Sequence, residues 1–225
     1  MDNSIYDKIV QLPLFLGMSR EEISLAVGQA RFGFHKHPAK HTILTEGQPC
    51  YTLLLLVDGT IHVHAQSDDH GYTLTEELHA PTIIQPEHLF GLSQRFSRTV
   101  TAKTACHLIT LDKSEVMKLT GAHAIIHYNL LNIISAQAQK LQRQLWHNSP
   151  TTLEHRIVQF IAHRSIRQAG PKSLSIKMTR LANELNDSRL DISRALNRLQ
   201  QKSLLTLHRG RIEIPAFEQL LQFSF

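Results

Sequence analysis

Between residues 31 and 112 the chain is broken into short stretches of β-branched and apolar residues, each closed by a turn signal. Thr42-Ile43-Leu44 runs into Glu46-Gly47-Gln48-Pro49, Thr52–Val57 into Asp58-Gly59, and Thr60–Ala65 into Asp68-Asp69-His70-Gly71. Such punctuation leaves no room for helices and predicts a β-sandwich or barrel of about 80 residues. Asp58-Gly59 between two apolar runs reads as a hairpin turn. Ile61-His62-Val63-His64 alternates as on a strand with one buried face, and Val100–Leu111 holds a further pair of strands.

Helical signals flank this region. Ser19 with Glu22 three residues on has the capping-box spacing, and Ile23, Leu25 and Ala26 give the helix an apolar side. Lys113–Leu119 reads as a short helix, and a longer one is predicted from about Ala122 to Asn148. Along it Leu131, Ile134, Ala138, Leu141, Leu145 and Asn148 are spaced 3, 4, 3, 4 and 3, a heptad seam. A seam this long and narrow fits a helix paired with its twin in a homodimer; a helix packed on its own domain is the other reading. Ser149-Pro150 marks a boundary.

Charge divides the chain at the same place. Residues 1–149 carry 12 basic and 13 acidic side chains, residues 150–225 carry 12 and 6, so the basic excess lies in the last third. A compact basic module beside a near-neutral one is the footprint of a polyanion-binding domain. Thr151–Gln168 is predicted as a helix, Leu174-Ser175-Ile176 as a short strand, and Met178–Leu185 as a helix with no clear cap. Asn186-Asp187 turns the chain into a second helix that starts at Ser188, with Asp191 at capping distance, and runs to about Lys202.

That helix has two chemically different faces. Ile192, Leu196 and Leu199 point one way; Leu190, Ser193, Arg194 and Asn197 point the other, with Arg189 at the exposed start. A helix-turn-helix places such an N-terminal end in the DNA major groove. Arginine can take guanine O6 and N7 with two hydrogen bonds, whereas lysine lacks the planar fork. Leu190 could touch a thymine methyl. Leu204–Ile214 then reads as two strands around Arg209-Gly210, a basic-tipped hairpin whose Arg209 and Arg211 suit phosphates. Ser188, Thr179 and Arg180 complete the expected DNA-facing set.

Other classes find little support. The sequence contains no P-loop, GxSxG elbow or dinucleotide fingerprint, so no enzyme and no catalytic residue is expected. Two cysteines, Cys50 and Cys106, cannot build a four-cysteine metal site. No cofactor or metal is assigned, although His62 and His64 on one strand face, with His35, His37 and His41 nearby, keep a haem or redox sensor open as an alternative. No apolar run is long enough to span a bilayer, so no membrane partner is expected, and with only two cysteines a reducing cytoplasm is the expected compartment. A ligand-sensing scaffold that binds no DNA is the remaining rival.

Taken in order, these pieces resemble the CRP/FNR family of bacterial transcription regulators over essentially the whole chain. The most specific stretch is Leu181-Ala182-Asn183-Glu184-Leu185-Asn186-Asp187-Ser188-Arg189-Leu190-Asp191-Ile192-Ser193-Arg194-Ala195-Leu196. Thr45-Glu46-Gly47-Gln48, Leu56-Val57-Asp58-Gly59-Thr60-Ile61 and Leu12-Pro13-Leu14-Phe15 fit as well. The resemblance implies an α+β fold with a jelly-roll-like β-roll sensor over 1–121, a dimerisation helix over 122–149 and a winged helix-turn-helix over 150–225. It implies double-stranded DNA with an inverted-repeat operator as partner, a second copy of the chain, RNA polymerase as a further candidate, and an unidentified small-molecule effector. Arg189, Ser193 and Arg194 fall on positions that meet DNA in the family, while Leu190 stands where many members carry a base-reading glutamate. The family's cyclic-nucleotide cassette pairs Gly-Glu with a later Arg-Ser/Thr. Here Gly91, Arg98 and Thr99 fit as ligand-binding candidates, but Leu92 occupies the glutamate slot and cannot accept a hydrogen bond. The effector is therefore expected to be something other than a cyclic nucleotide, with a cyclic-nucleotide-responsive regulator as the alternative.

Overall fold

The computed structural model describes residues 8–145 and 152–223. They divide into two compact units, one formed by residues up to His62 with Leu78–Gln142, the other by Val63–Glu77 with residues from Arg143 onward.

In the first unit, α1 (Arg20–Gln29) opens with the capping box: Glu22 N–H donates to Ser19 Oγ at 3.2 Å, and Ser19 N–H to the Glu22 carboxylate at 2.7 Å. An antiparallel sheet follows in the order β1 (Phe32–His37), β8 (Cys106–Asp112), β3 (Thr52–Asp58), β6 (Thr82–Ile84). Leu53, Leu54, Leu55 and Leu56 are all buried, so β3 is covered on both faces and shows no alternation. A second layer includes the pairing of β2 (Thr42–Leu44) with β7 (Thr99–Ala102).

The structure corrects the reading of Asp58-Gly59 as a hairpin turn. β3 and β4 (Thr60–Gln66) lie in different sheets, and the dipeptide carries the chain from one layer to the other. Gly59 adopts φ +94°, and a Cβ there would stand 2.4 Å from the Ala105 carbonyl. Glycine is required by close backbone approach at a layer crossing, a demand that looks in sequence like a tight turn.

Helix α2 (Lys113–Ala122) stops at His123, whose extended backbone separates it from α3 (Ala124–Leu145). Asn129 on α3 donates its amide to the carbonyls of Leu14 and Leu16 at 3.0 and 2.9 Å, which fixes the N-terminal 3₁₀ turn Pro13–Phe15 against the helix. Leu131, Ala138 and Leu141 are exposed and Ile134 is half-buried. Leu145 ends the helix where side chains fall outside the described residues, and Asn148 and the 149–150 boundary fall outside them altogether.

The second unit has its own core. Helix α4 (Leu153–Arg164) is capped by Thr152 and buries Ile157, Val158, Phe160 and Ile161. It is shorter than the expected Thr151–Gln168, because Ser165 turns extended and the N–H groups of Ile166 and Arg167 donate to the Glu76 carboxylate at 2.6 and 3.2 Å. Four strands lie side by side in the order β10 (Thr206–His208), β11 (Arg211–Ile214), β9 (Lys172–Ile176), β5 (Tyr72–His79). Leu74, Leu174 and Ile212 stand opposite one another across three of them, and all are buried. Each such aliphatic side chain contributes about 1.5–3 kcal/mol on burial. α5 (Met178–Glu184), α6 (Arg189–Gln201) and the short α7 (Phe217–Phe223) complete the unit.

Candidate nucleic-acid interface

The position of α6 follows from its two ends and its buried face. Ile192, Ala195, Leu196 and Leu199 are fully buried and hold the helix to the core. Before it, Asn186 takes a left-handed φ of 48°, and Asp187 receives Arg156 at 3.0 Å, which ties the turn to α4. Ser188 then caps the helix: its hydroxyl accepts from Asp191 N–H at 3.0 Å and donates to the Asp191 carboxylate at 2.6 Å. α5 has no side-chain cap, and Lys177 stands at its N-cap.

The face left outside is the one the sequence marks. Ser188, Arg189, Leu190, Arg194 and Asn197 are exposed and Ser193 is half-buried. Arg194 reaches back to Asp191 at 3.4 Å, with both side chains more than half exposed. An exposed pair of this kind is worth about 0–1 kcal/mol, so Arg194 can exchange Asp191 for another acceptor at little cost. The wing forms as expected. Gly210 turns at φ +74°, Leu207 pairs with Ile212, and Leu207 N–H is held by Gln200 of α6 at 2.8 Å. Arg209 and Arg211 are exposed at its tip, and Arg211 lies 3.1 Å from Glu213.

Thr179 is exposed at the start of α5, but Arg180 is engaged. Its guanidinium reaches Asp69 at 2.7 Å and Glu184 at 2.6 Å. Asp69 belongs to the turn between β4 and β5, a segment that sequence reasoning left out of this site. The same hairpin carries Glu76, 2% exposed, which accepts from Lys172 Nζ at 2.7 Å as well as from the two N–H groups after α4. Burial pushes the Lys172 ammonium below its ordinary range, against the opposing pull of Glu76. One signal for Glu76 exists in the sequence: it stands between Leu74 and Leu78 on the inward face of an alternating strand, where a carboxylate needs a partner.

In the first unit the cassette candidates Gly91, Arg98 and Thr99 lie along the stretch that leads into β7. Gly91 is exposed at φ +90°, Thr99 Oγ1 accepts from Glu46 N–H at 3.1 Å, and the Arg98 carbonyl accepts from Gln85 Nε2 at 3.0 Å. Gln85, 6% exposed, also takes the N–H and hydroxyl of Ser97 on Oε1 at 2.9 and 3.1 Å. Two donors on one loop that could hold an anion are thus occupied by a side-chain amide. The histidines form a stack: rings of His35 and His37 lie 6.4 Å apart, those of His37 and His41 4.8 Å. Burial and the two neighbouring imidazoles hold His37 below the usual histidine range. No group of three or more metal-ligating side chains occurs among the described residues, and no described helix is long and apolar enough to cross a membrane.

Residues 34–123 match the family model of the cyclic nucleotide-binding domain, and residues 155–223 that of the Crp-like helix-turn-helix domain. The chain is 23% identical over 200 residues to the cAMP-activated global transcriptional regulator CRP of Salmonella typhimurium, covering 87% of this chain and 95% of that one. It is 24% identical over 179 residues to the Haemophilus influenzae protein of the same name, covering 77% and 80%. Among solved structures, a putative transcriptional regulator of the Crp/Fnr family from Eubacterium rectale superposes with a TM-score of 0.52 at 21% identity, covering 95% of this chain and 98% of that one. The catabolite activator protein of Thermus thermophilus gives 0.51 at 17%, covering 94% and 97%. With a helix-turn-helix face of exposed arginines and both of its domain types matched, the chain belongs to the CRP/FNR family and is a DNA-binding transcription regulator, not an enzyme.

Proposed function

We propose that the protein acts in the cytoplasm as a homodimer on an inverted-repeat operator, reading bases with Arg189, Leu190, Ser193, Arg194 and Asn197. Thr179, Arg180, Arg209 and Arg211 meet phosphates, and Ser188 caps the reading helix. The observation that carries this is the outward face of α6: four fully buried residues on one side, exposed arginines and polar groups on the other. Two such helices set about one DNA turn apart, roughly 34 Å, would read two half-sites. Exposure of Leu131, Ala138 and Leu141 on α3 supports the pairing, since single-chain packing leaves this seam uncovered. RNA polymerase is a further candidate partner for this role.

The effector in this reading is a small molecule other than a cyclic nucleotide. Gln85 already takes the two donors of Ser97, and Leu92 is fully exposed and has no acceptor. The test is selection of bound fragments from random DNA by the purified protein, with and without cAMP and cGMP. A palindromic motif unchanged by either nucleotide is expected; a motif recovered only with one of them overturns the effector assignment. Leu141→Asp should dissociate the dimer in light scattering, and a variant that keeps the dimer mass refutes the seam.

A further inference from the structure

The turn between β4 and β5 is built to present a carboxylate. Asp69 Oδ1 accepts from the Ser67 hydroxyl at 2.8 Å and from Gly71 N–H at 3.1 Å, which leaves Oδ2 free to meet Arg180 at 2.7 Å. These hydrogen bonds, Ser67 first, hold the Asp69 carboxyl below its ordinary range, so it is charged at neutral pH. Arg180 comes so close to the turn that a Cβ on Gly71 would stand 3.2 Å from its Nε, and it lies 6.0 Å from the Tyr72 ring centroid. The hairpin that carries the turn is seated firmly. β5 pairs with β9 over five residues, from Tyr72 opposite Ile176 to Glu76 opposite Lys172, and the buried Glu76–Lys172 pair anchors its base.

A carboxylate oxygen held in a fixed orientation offers an arginine the same kind of charge-assisted hydrogen bond as an oxygen of a phosphate diester. We propose that Asp69 is an internal competitor for DNA: it occupies Arg180 in place of a backbone phosphate, and the arginine changes partner when DNA binds. This inference rests on the reading of Arg180 as a phosphate contact. The base of the hairpin stays in place, because removing one member of a buried ion pair is costly, whereas the Asp69–Arg180 pair is partly exposed and inexpensive to open. Side-chain exposures of 1% and 2% for Lys172 and Glu76, against 35% and 52% for Arg180 and Asp69, separate the anchor from the exchangeable contact. The residues flanking the hairpin in sequence, up to His62 and from Leu78, belong to the other unit.

The test uses the full-length protein and non-specific duplex DNA over a range of salt concentrations. Asp69→Asn removes the charge while keeping an oxygen for Ser67 and Gly71. It should bind about threefold more tightly, because no carboxylate has to be given up when Arg180 meets a phosphate, while its plot of log affinity against log salt keeps the wild-type slope to within about one contact. Arg180→Ala should abolish that gain, so that D69N/R180A matches R180A. Circular dichroism and thermal melting of each variant keep a folding defect from being read as a binding effect. D69N with wild-type affinity overturns the proposal, as does a gain that persists without Arg180. Absence of DNA binding by the wild-type protein would instead defeat the underlying functional reading, so the two failures are distinguishable.

Discussion

Two hairpins flank strand β9, and their tips carry opposite charge. On one edge lies the wing, β10–β11, closed by Arg209-Gly210 and followed by Arg211; on the other lies β5, joined to β4 through Asp68-Asp69-His70-Gly71. The wing is local in sequence, and its partner β9 is about 40 residues away. The other hairpin reaches β9 across about 100 residues. Both use the same ladder of backbone hydrogen bonds. The basic tip is left outward where a polyanion could meet it, whereas the acidic tip turns onto an arginine of the DNA-binding module. Backbone pairing seats a hairpin, and the charge at its tip decides what that hairpin serves.

The comparison breaks most severely at its buried anchor. Glu76→Ala leaves Lys172 and two N–H groups without their acceptor in a closed interior, and should cost about 3–5 kcal/mol in urea denaturation. A variant as stable as wild type would mean that β5 is not held by this pair. Arg194→Ala leaves both hairpins intact and tests the reading helix. It should weaken specific binding by about 1–3 kcal/mol and relax one base position in a selected motif, with non-specific binding little altered. Arg209→Ala or Arg211→Ala should do the reverse, weakening binding on every sequence and flattening the salt dependence by about one contact each.

The smallest expected effect is one of pH. The Asp69 carboxyl is depressed, first by Ser67 and then by Gly71 N–H and Arg180, so its contribution is present above the ordinary aspartate value of about 4 and is lost as pH falls through the lower folded value. The affinity ratio between Asp69→Asn and wild type should therefore be the same at pH 8 and pH 5.5. His37 acts in the same direction at a higher pH. Its depressed imidazole favours the folded state above about pH 6.5, and that contribution fades as pH falls below this value. Thermal melting of His37→Gln should accordingly show less acid sensitivity than wild type.

What could be read from the residues alone followed sequence distance. Caps are local, and Ser19 with Glu22 and Ser188 with Asp191 form as their spacing predicts. The two-faced character of α6 needs only the helical period, and the burial of Ile192, Leu196 and Leu199 agrees with it. The Asp58-Gly59 turn was misread because a glycine required by Ala105, some 46 residues on, carries the same signature as one required by a tight turn. The early end of α4 was invisible for a similar reason: the group that receives its final N–H donors is Glu76, 90 residues earlier. The engagement of Arg180 by Asp69 likewise depends on a strand pairing that no local pattern announces.

Strand β9 borrows one of its two neighbours from far upstream. An expression fragment that starts near residue 150 would lack that neighbour and would present Lys172–Ile176 as a bare rim of unanswered amides, with the Lys172 ammonium stranded among apolar side chains. Such a fragment is a poor surrogate for the intact regulator: it invites self-association along the open rim, and it discards the residue that restrains Arg180.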